Sequence, residues 1–263
     1  IRREIEVKKM SESQEKQPSV NLFSPENMID PYPLYKQLRD EEPVHYLEEM
    51  NLHVVTRYDL LRDVIKRTDD FSSKYDQFMG GAQMEMFNTL SDEQKAEAFK
   101  IAQGMIDIPP TMLTLDEPEH TKYRSLVSKL FTGGQVKKSE DDVRAVIEKN
   151  VLAMKGKGKI DFMELFAFPV PLEIISDRLG IPGDSESRDF FYEAATSAAS
   201  ALKMAPVPPE QILGRMQTAV DLQKFLIELV EDCRRAPKEN MISILSNSKL
   251  LDDGEERELT HGE

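Results

Sequence analysis

LTLDEPEHTKYRSLVSKLF, residues 113–131, opens on helix-start chemistry and runs straight into an amphipathic helix. Asp116 is a side-chain cap candidate, Glu119 follows at capping-box spacing, and Pro118 suits a first turn where an amide hydrogen is not needed. A helix is therefore expected over 117–131. His120 and Arg124 stand four apart and share one face, with His120 near the N-terminus, where the helix dipole favours an anion. A guanidinium donates paired hydrogen bonds to a carboxylate and an imidazole adds another donor, so a ligand with two carboxylates suits this edge. The same spacing also fits a solvated face or an ion pair with a nearby carboxylate.

Toward the C-terminus the apolar periodicity predicts helices over 137–154, 163–179, 186–202, 209–235 and 238–247. Breaks are expected at Gly133 and Gly134, 156–158, 180–183 and Pro206 to Pro209. Toward the N-terminus, residues 72–112 read as a long excursion with one helix between Met84 and Ala102. PVHYLE at 43–48 and LHVVTR at 52–57 are β-branched and aromatic around a short connection at Asn51, which predicts a hairpin. It is flanked by amphipathic helices in DPYPLYKQLRDEEP and YDLLRDVIKR. Residues 1–20 lack a sustained apolar period and read as a mobile tail, with one domain over 21–263. The fold class is mainly α with a small antiparallel β-sheet near the N-terminus.

Composition narrows the partners. The chain has 263 residues, 40% hydrophobic and 31% charged, enough to bury a substantial core. A formal net charge of -14 argues against a general nucleic-acid partner, which phosphate repulsion would disfavour. The sequence has no apolar run of the roughly 18–20 residues a membrane anchor needs. The first twenty residues are charged and polar, without a signal-peptide core, so a cytoplasmic location is expected; the one cysteine, Cys233, excludes an intrachain disulfide and fits that reducing compartment, and a monomer is expected.

The 113–131 stretch resembles the helix C signature of the cytochrome P450 family, D-x-P-x-H-T-x-x-R-x-L-V-x-x-x-F. Other segments agree in order: DPYPLYKQLRDEEPVHY resembles the family's first helix and strand, VVTRYDLLRDVIKRTDDFSS its second strand and helix B, PLEIISDRLGIP its helix E, and ENMISILSNSK the helix before its long central one. Several motifs in a consistent order are more specific than any one of them. The resemblance implies a cytochrome P450 fold, incomplete in this chain. It also implies heme b as cofactor, with His120 and Arg124 binding its propionates, and O2 as co-substrate. The function implied is a heme monooxygenase that inserts one oxygen atom into a hydrophobic small molecule, with terpenoid- or steroid-like compounds the first guess.

The family's acid-threonine pair and Phe-x-x-Gly-x-x-x-Cys-x-Gly loop do not occur within these residues, and its Glu-x-x-Arg pair belongs to a segment the family places later, so the chain reads as the N-terminal two-thirds of such an enzyme, inactive alone. Cys233 lies in LIELVEDCRRAPKEN, a helical context unlike the family's Gly-rich ligand loop, and is read as a packed thiol. The loop MIDIPPTML brings Ile106, Ile108, Thr111, Met112 and Leu113 near the heme-facing helix, and the resemblance makes them substrate contacts. ATSAASALKMAPVPPEQILG resembles the element that gates substrate access, with Leu202 and Met204 as candidate contacts. Lys122 and Lys129, seven apart on another face, are implied to dock a ferredoxin-type electron donor. The alternative from a different class is a non-catalytic heme- or ligand-binding helical fragment or scaffold.

Overall fold

The computed structural model describes residues 21–22, 24–48, 51–75, 86–201, 207–252 and 254–263. Residues 1–20 and the candidate contacts Leu202 and Met204 lie outside the described residues. Contacts cluster into two units, one ending at Phe71 and the other beginning at Ser72.

The first unit holds helices α1 (Pro25–Ile29) and α2 (Tyr32–Glu41), strands β1 (Val44–Leu47) and β2 (Leu52–Val55), and helix α3 (Tyr58–Val64). β1 and β2 pair antiparallel in the register Val44↔Val55 to Leu47↔Leu52. Asn51 enters β2 at φ 50°, a left-handed turn conformation that asparagine tolerates better than most residues. The expected hairpin is therefore present, with β1 one residue shorter at each end and β2 two residues shorter at its C-terminal end.

The second unit is almost wholly helical: α4 (Asp92–Ala102), α5 (Glu119–Ser128), α6 (Gly133–Lys138), α7 (Glu140–Met154), α8 (Pro169–Leu179), α9 (Ser185–Ala201), α10 (Pro209–Arg235) and α11 (Met241–Ser246). α10 is its scaffold, and its bounds match the expectation at both ends. Ile212 packs against Leu90 and Ala98 in the core shared with α4, and Phe225 meets Phe190 of α9 edge to face, centroids 5.5 Å apart. α4 starts on a full capping box: Ser91 Oγ accepts from Gln94 N at 3.2 Å, and Gln94 Oε1 accepts from Ser91 N at 2.9 Å.

Three expectations change in detail. The 117–131 helix is α only to Ser128 and tightens to a 3₁₀ turn over Lys129–Phe131. Gly133 and Gly134 do not merely break the chain; they begin α6, which Thr132 caps and which ends at Ser139 before α7. The 163–179 segment begins as a π turn, Met163–Ala167, and becomes α-helical at Pro169, a residue suited to a first turn.

A second sheet was not expected. β3 (Lys249–Asp252) and β4 (Glu255–Glu258) form an antiparallel hairpin with Gly254 at φ 87° in its turn. Its strands carry few β-branched or aromatic residues, and only Leu250 is buried, so periodicity gives no signal.

Candidate heme-carboxylate edge and apolar wall

The start of α5 is built differently from the capping box read in the sequence. Asp116 does not cap the helix: its carboxylate accepts from Ser72 Oγ at 2.6 Å and Ser73 N at 2.8 Å, which hold it below the usual carboxylate range. Glu117 takes over the terminal role. Its Oε2 accepts the Thr121 amide at 3.2 Å and its Oε1 meets His120 Nδ1 at 3.0 Å, and these two contacts depress its pKa.

His120 is thus largely covered and already engaged on one ring nitrogen. Arg124, one turn on, is exposed, and its guanidinium has no hydrogen-bond or ion-pair partner among the described residues. The expected pair is brought together on one face, one member oriented by a carboxylate and the other available. In a chain so rich in acidic side chains, an arginine without a carboxylate beside it is a donor set that fits an external carboxylate.

The same face continues through Tyr123 and Val127, which stand three and seven residues after His120. These two and Leu126 wall a cavity of about 240 Å³ whose other sides are Ile108, Pro109, Pro110, Thr111, Met112, Leu245, Leu259, Gly262 and Glu263. Three of the five expected loop contacts, Ile108, Thr111 and Met112, therefore line it. Ile106 and Leu113 do not: Ile106 is half-buried and donates its amide to Gln223 Oε1 at 3.0 Å, while the Leu113 side chain is 66% exposed. The cavity falls short of the roughly 300–1,000 Å³ of complete small-molecule sites and forms one apolar wall.

A polar circuit that sequence reasoning missed braces this wall. Lys122 Nζ donates to Asp252 Oδ1 at 2.9 Å, and Arg257 Nε to Asp252 Oδ2 at 3.1 Å. Arg257 then grips Glu263 with two bonds of 2.8 and 2.7 Å, and Tyr123 Oη donates to Glu263 as well. The circuit leaves α5 at Lys122 and returns at Tyr123. Glu263, only 5% exposed, is held far below the normal carboxylate range chiefly by Arg257, and Asp252 is lowered chiefly by Lys122. The partners lie 130 and 140 residues apart, so no local pattern pointed to them.

The two lysines expected at a docking surface therefore differ. Lys129 is exposed at the end of α5, whereas Lys122 is largely covered and committed to Asp252. Cys233 is buried in α10, its sulfur 3.9 Å from Asn240 Oδ1. A larger groove of about 890 Å³, lined by Val143, Val146, Ile174, Ile175 and Ile244 among others, contains none of the expected site residues. No described helix is long and apolar enough to cross a membrane.

No family model matches the chain. Among curated proteins, it is 28% identical over 226 residues to putative cytochrome P450 123 of Mycobacterium tuberculosis, covering 85% of this chain and 50% of that protein. It is also 28% identical over 238 residues to cytochrome P450 109 of Bacillus spizizenii, covering 90% and 51%. Among solved structures, cytochrome P450 CYP109Q5 from Chondromyces apiculatus superposes with a TM-score of 0.68 at 24% identity, over 92% of this chain and 53% of that one. The chain spans about half the length of these relatives, less than the two-thirds expected from sequence. It is a homologue of the bacterial cytochromes P450 and carries their fold over the part it spans.

Proposed function

We propose that this chain is the N-terminal part of a heme monooxygenase in which His120 and Arg124 hold the heme carboxylates and the loop around Ile108–Met112 forms part of the substrate wall. The observation that carries the reading is the exposed Arg124, without a partner among the described residues, one turn from a carboxylate-oriented His120 on the helix face that continues into an apolar cavity. The relatives' family membership supports heme as the group whose two carboxylates these donors suit. When bound, the heme supplies the dioxygen chemistry. The chain's own residues do three things. Arg124 and His120 fix the carboxylate edge, Tyr123, Leu126 and Val127 cover the adjoining surface with apolar groups, and Ile108, Thr111 and Met112 shape the wall a hydrophobic substrate would touch. Terpenoid- and steroid-like molecules are the first compounds to screen, and Lys129 is the better of the two lysines for meeting an acidic electron donor.

The test uses the complete gene product. Reconstituted with hemin, reduced and exposed to carbon monoxide, it should give the long-wavelength absorption band of thiolate-bound heme. His120→Ala combined with Arg124→Ala should release hemin to a scavenger globin at least tenfold faster, since each charge-assisted hydrogen bond is worth about 1.5–3 kcal/mol. A protein that takes up no heme, or a double variant that retains it as well as wild type, defeats the reading.

A further inference from the structure

We propose that Glu117 is a positioning residue that fixes the His120 ring so that its Nε2–H is presented to a carboxylate, a heme propionate on the reading above, on which this inference rests.

The argument begins with Glu117's two oxygens. One accepts the Thr121 amide at 3.2 Å and the other meets His120 Nδ1 at 3.0 Å, so the carboxylate bridges the first turn of α5 and the ring. An ionised carboxylate only accepts, so Nδ1 must carry the hydrogen of that contact. The ring then has one state in which Nε2 can donate, the doubly protonated imidazolium. A second carboxylate on the Nε2 side completes a carboxylate–imidazolium–carboxylate row in which each anion favours the cation between them. Without Glu117 the neutral ring is free to place its single hydrogen on either nitrogen and to rotate. Arg124, lacking such an orienting partner among the described residues, needs none, because its guanidinium always donates. Outer partners that hold a ligating imidazole commonly change ligand affinity by 10- to 100-fold in metal sites, and the lower end suits a half-exposed carboxylate such as this one.

Glu117→Gln separates positioning from a purely structural role, because the amide oxygen still accepts from Thr121 N while the negative charge beside Nδ1 is lost. In the hemin-loaded complete gene product, ring ¹⁵N spectra assigned by the signal lost in His120→Gln should show an imidazolium in wild type. In Glu117→Gln they should show a neutral or mixed ring, with hemin release to the scavenger globin faster by about tenfold. Glu117→Asp should restore part of both. If Glu117→Gln leaves the ring signal and the release rate at wild-type values while the His120/Arg124 double alanine speeds release, the positioning role is wrong and the proposed function stands. If the double alanine also has no effect, both fall.

Discussion

Gly180 ends α8 at φ 90°, and replacing it with alanine tests the packing of α8 against the start of α11. Two costs are distinct. The left-handed conformation itself costs a residue with a Cβ about 1–2 kcal/mol. An added Cβ would also lie 2.1, 2.4 and 2.9 Å from Asn240 Nδ2, Cγ and Cβ, so Asn240 must move. Asn240 is the N-cap of α11, its Oδ1 accepting the Ser243 amide at 2.8 Å, and losing such a cap costs about 1 kcal/mol. Gly180→Ala should therefore destabilise by about 2–3 kcal/mol, read as a shift in urea midpoint at unchanged slope. Asn240→Gly removes the obstructing side chain, Cβ included, and costs only a few tenths of a kcal/mol as a cap. In that background Gly180→Ala should cost only the conformational part, giving a coupling of about 1 kcal/mol. A cost below about 0.5 kcal/mol, or the same cost in both backgrounds, would refute the assigned collision.

Three further outcomes follow from other sites. Ser176 is wholly buried and its Oγ has no hydrogen-bond partner among the described residues, so Ser176→Ala should be neutral or stabilising by up to about 1 kcal/mol in urea titration, against the usual loss for a core change. Asp116, Asp252 and Glu263 have folded pKa values below their unfolded ones, so their stabilisation is complete above the unfolded values of roughly 4 and is lost as pH falls through the folded ones. Urea midpoints should decline progressively below about pH 5, and Asp252→Asn should make that decline shallower. In the complete gene product, Lys129→Glu should slow reduction by an acidic ferredoxin-type donor in a salt-sensitive way. Lys122→Ala should act mainly on stability, because its charge is spent on Asp252; equal effects on reduction would contradict that division.

Elements whose causes are local were readable in advance. α10 carries a long apolar period and starts at a proline, the first hairpin is β-branched around an asparagine turn, and the His120–Arg124 spacing is a property of one helix. Asp116 had the right residue type in the right place for a cap and was drawn away by Ser72 and Ser73, more than forty residues upstream in the chain. The β3–β4 hairpin contained a readable cue, the Asp253-Gly254 dipeptide, but its strands are mostly charged. Lys122 could be assigned to a surface by periodicity; only tertiary structure shows that the surface is occupied by Asp252.

The hydrogen bond from the Ile106 amide to Gln223 has a mechanical meaning. α10 is 27 residues long, about 40 Å at 1.5 Å per residue, and it grips the loop ahead of the cavity wall near its middle. A slide of the long helix by a residue rise of about 1.5 Å lengthens or bends that 3.0 Å bond, so the bond favours helix and loop shifting together. The cavity wall is thus tethered to the rod twice, by the Ile106 amide on Gln223 and by the core that Ile212 shares with Leu90 and Ala98, so the loop follows the helix rather than moving on its own.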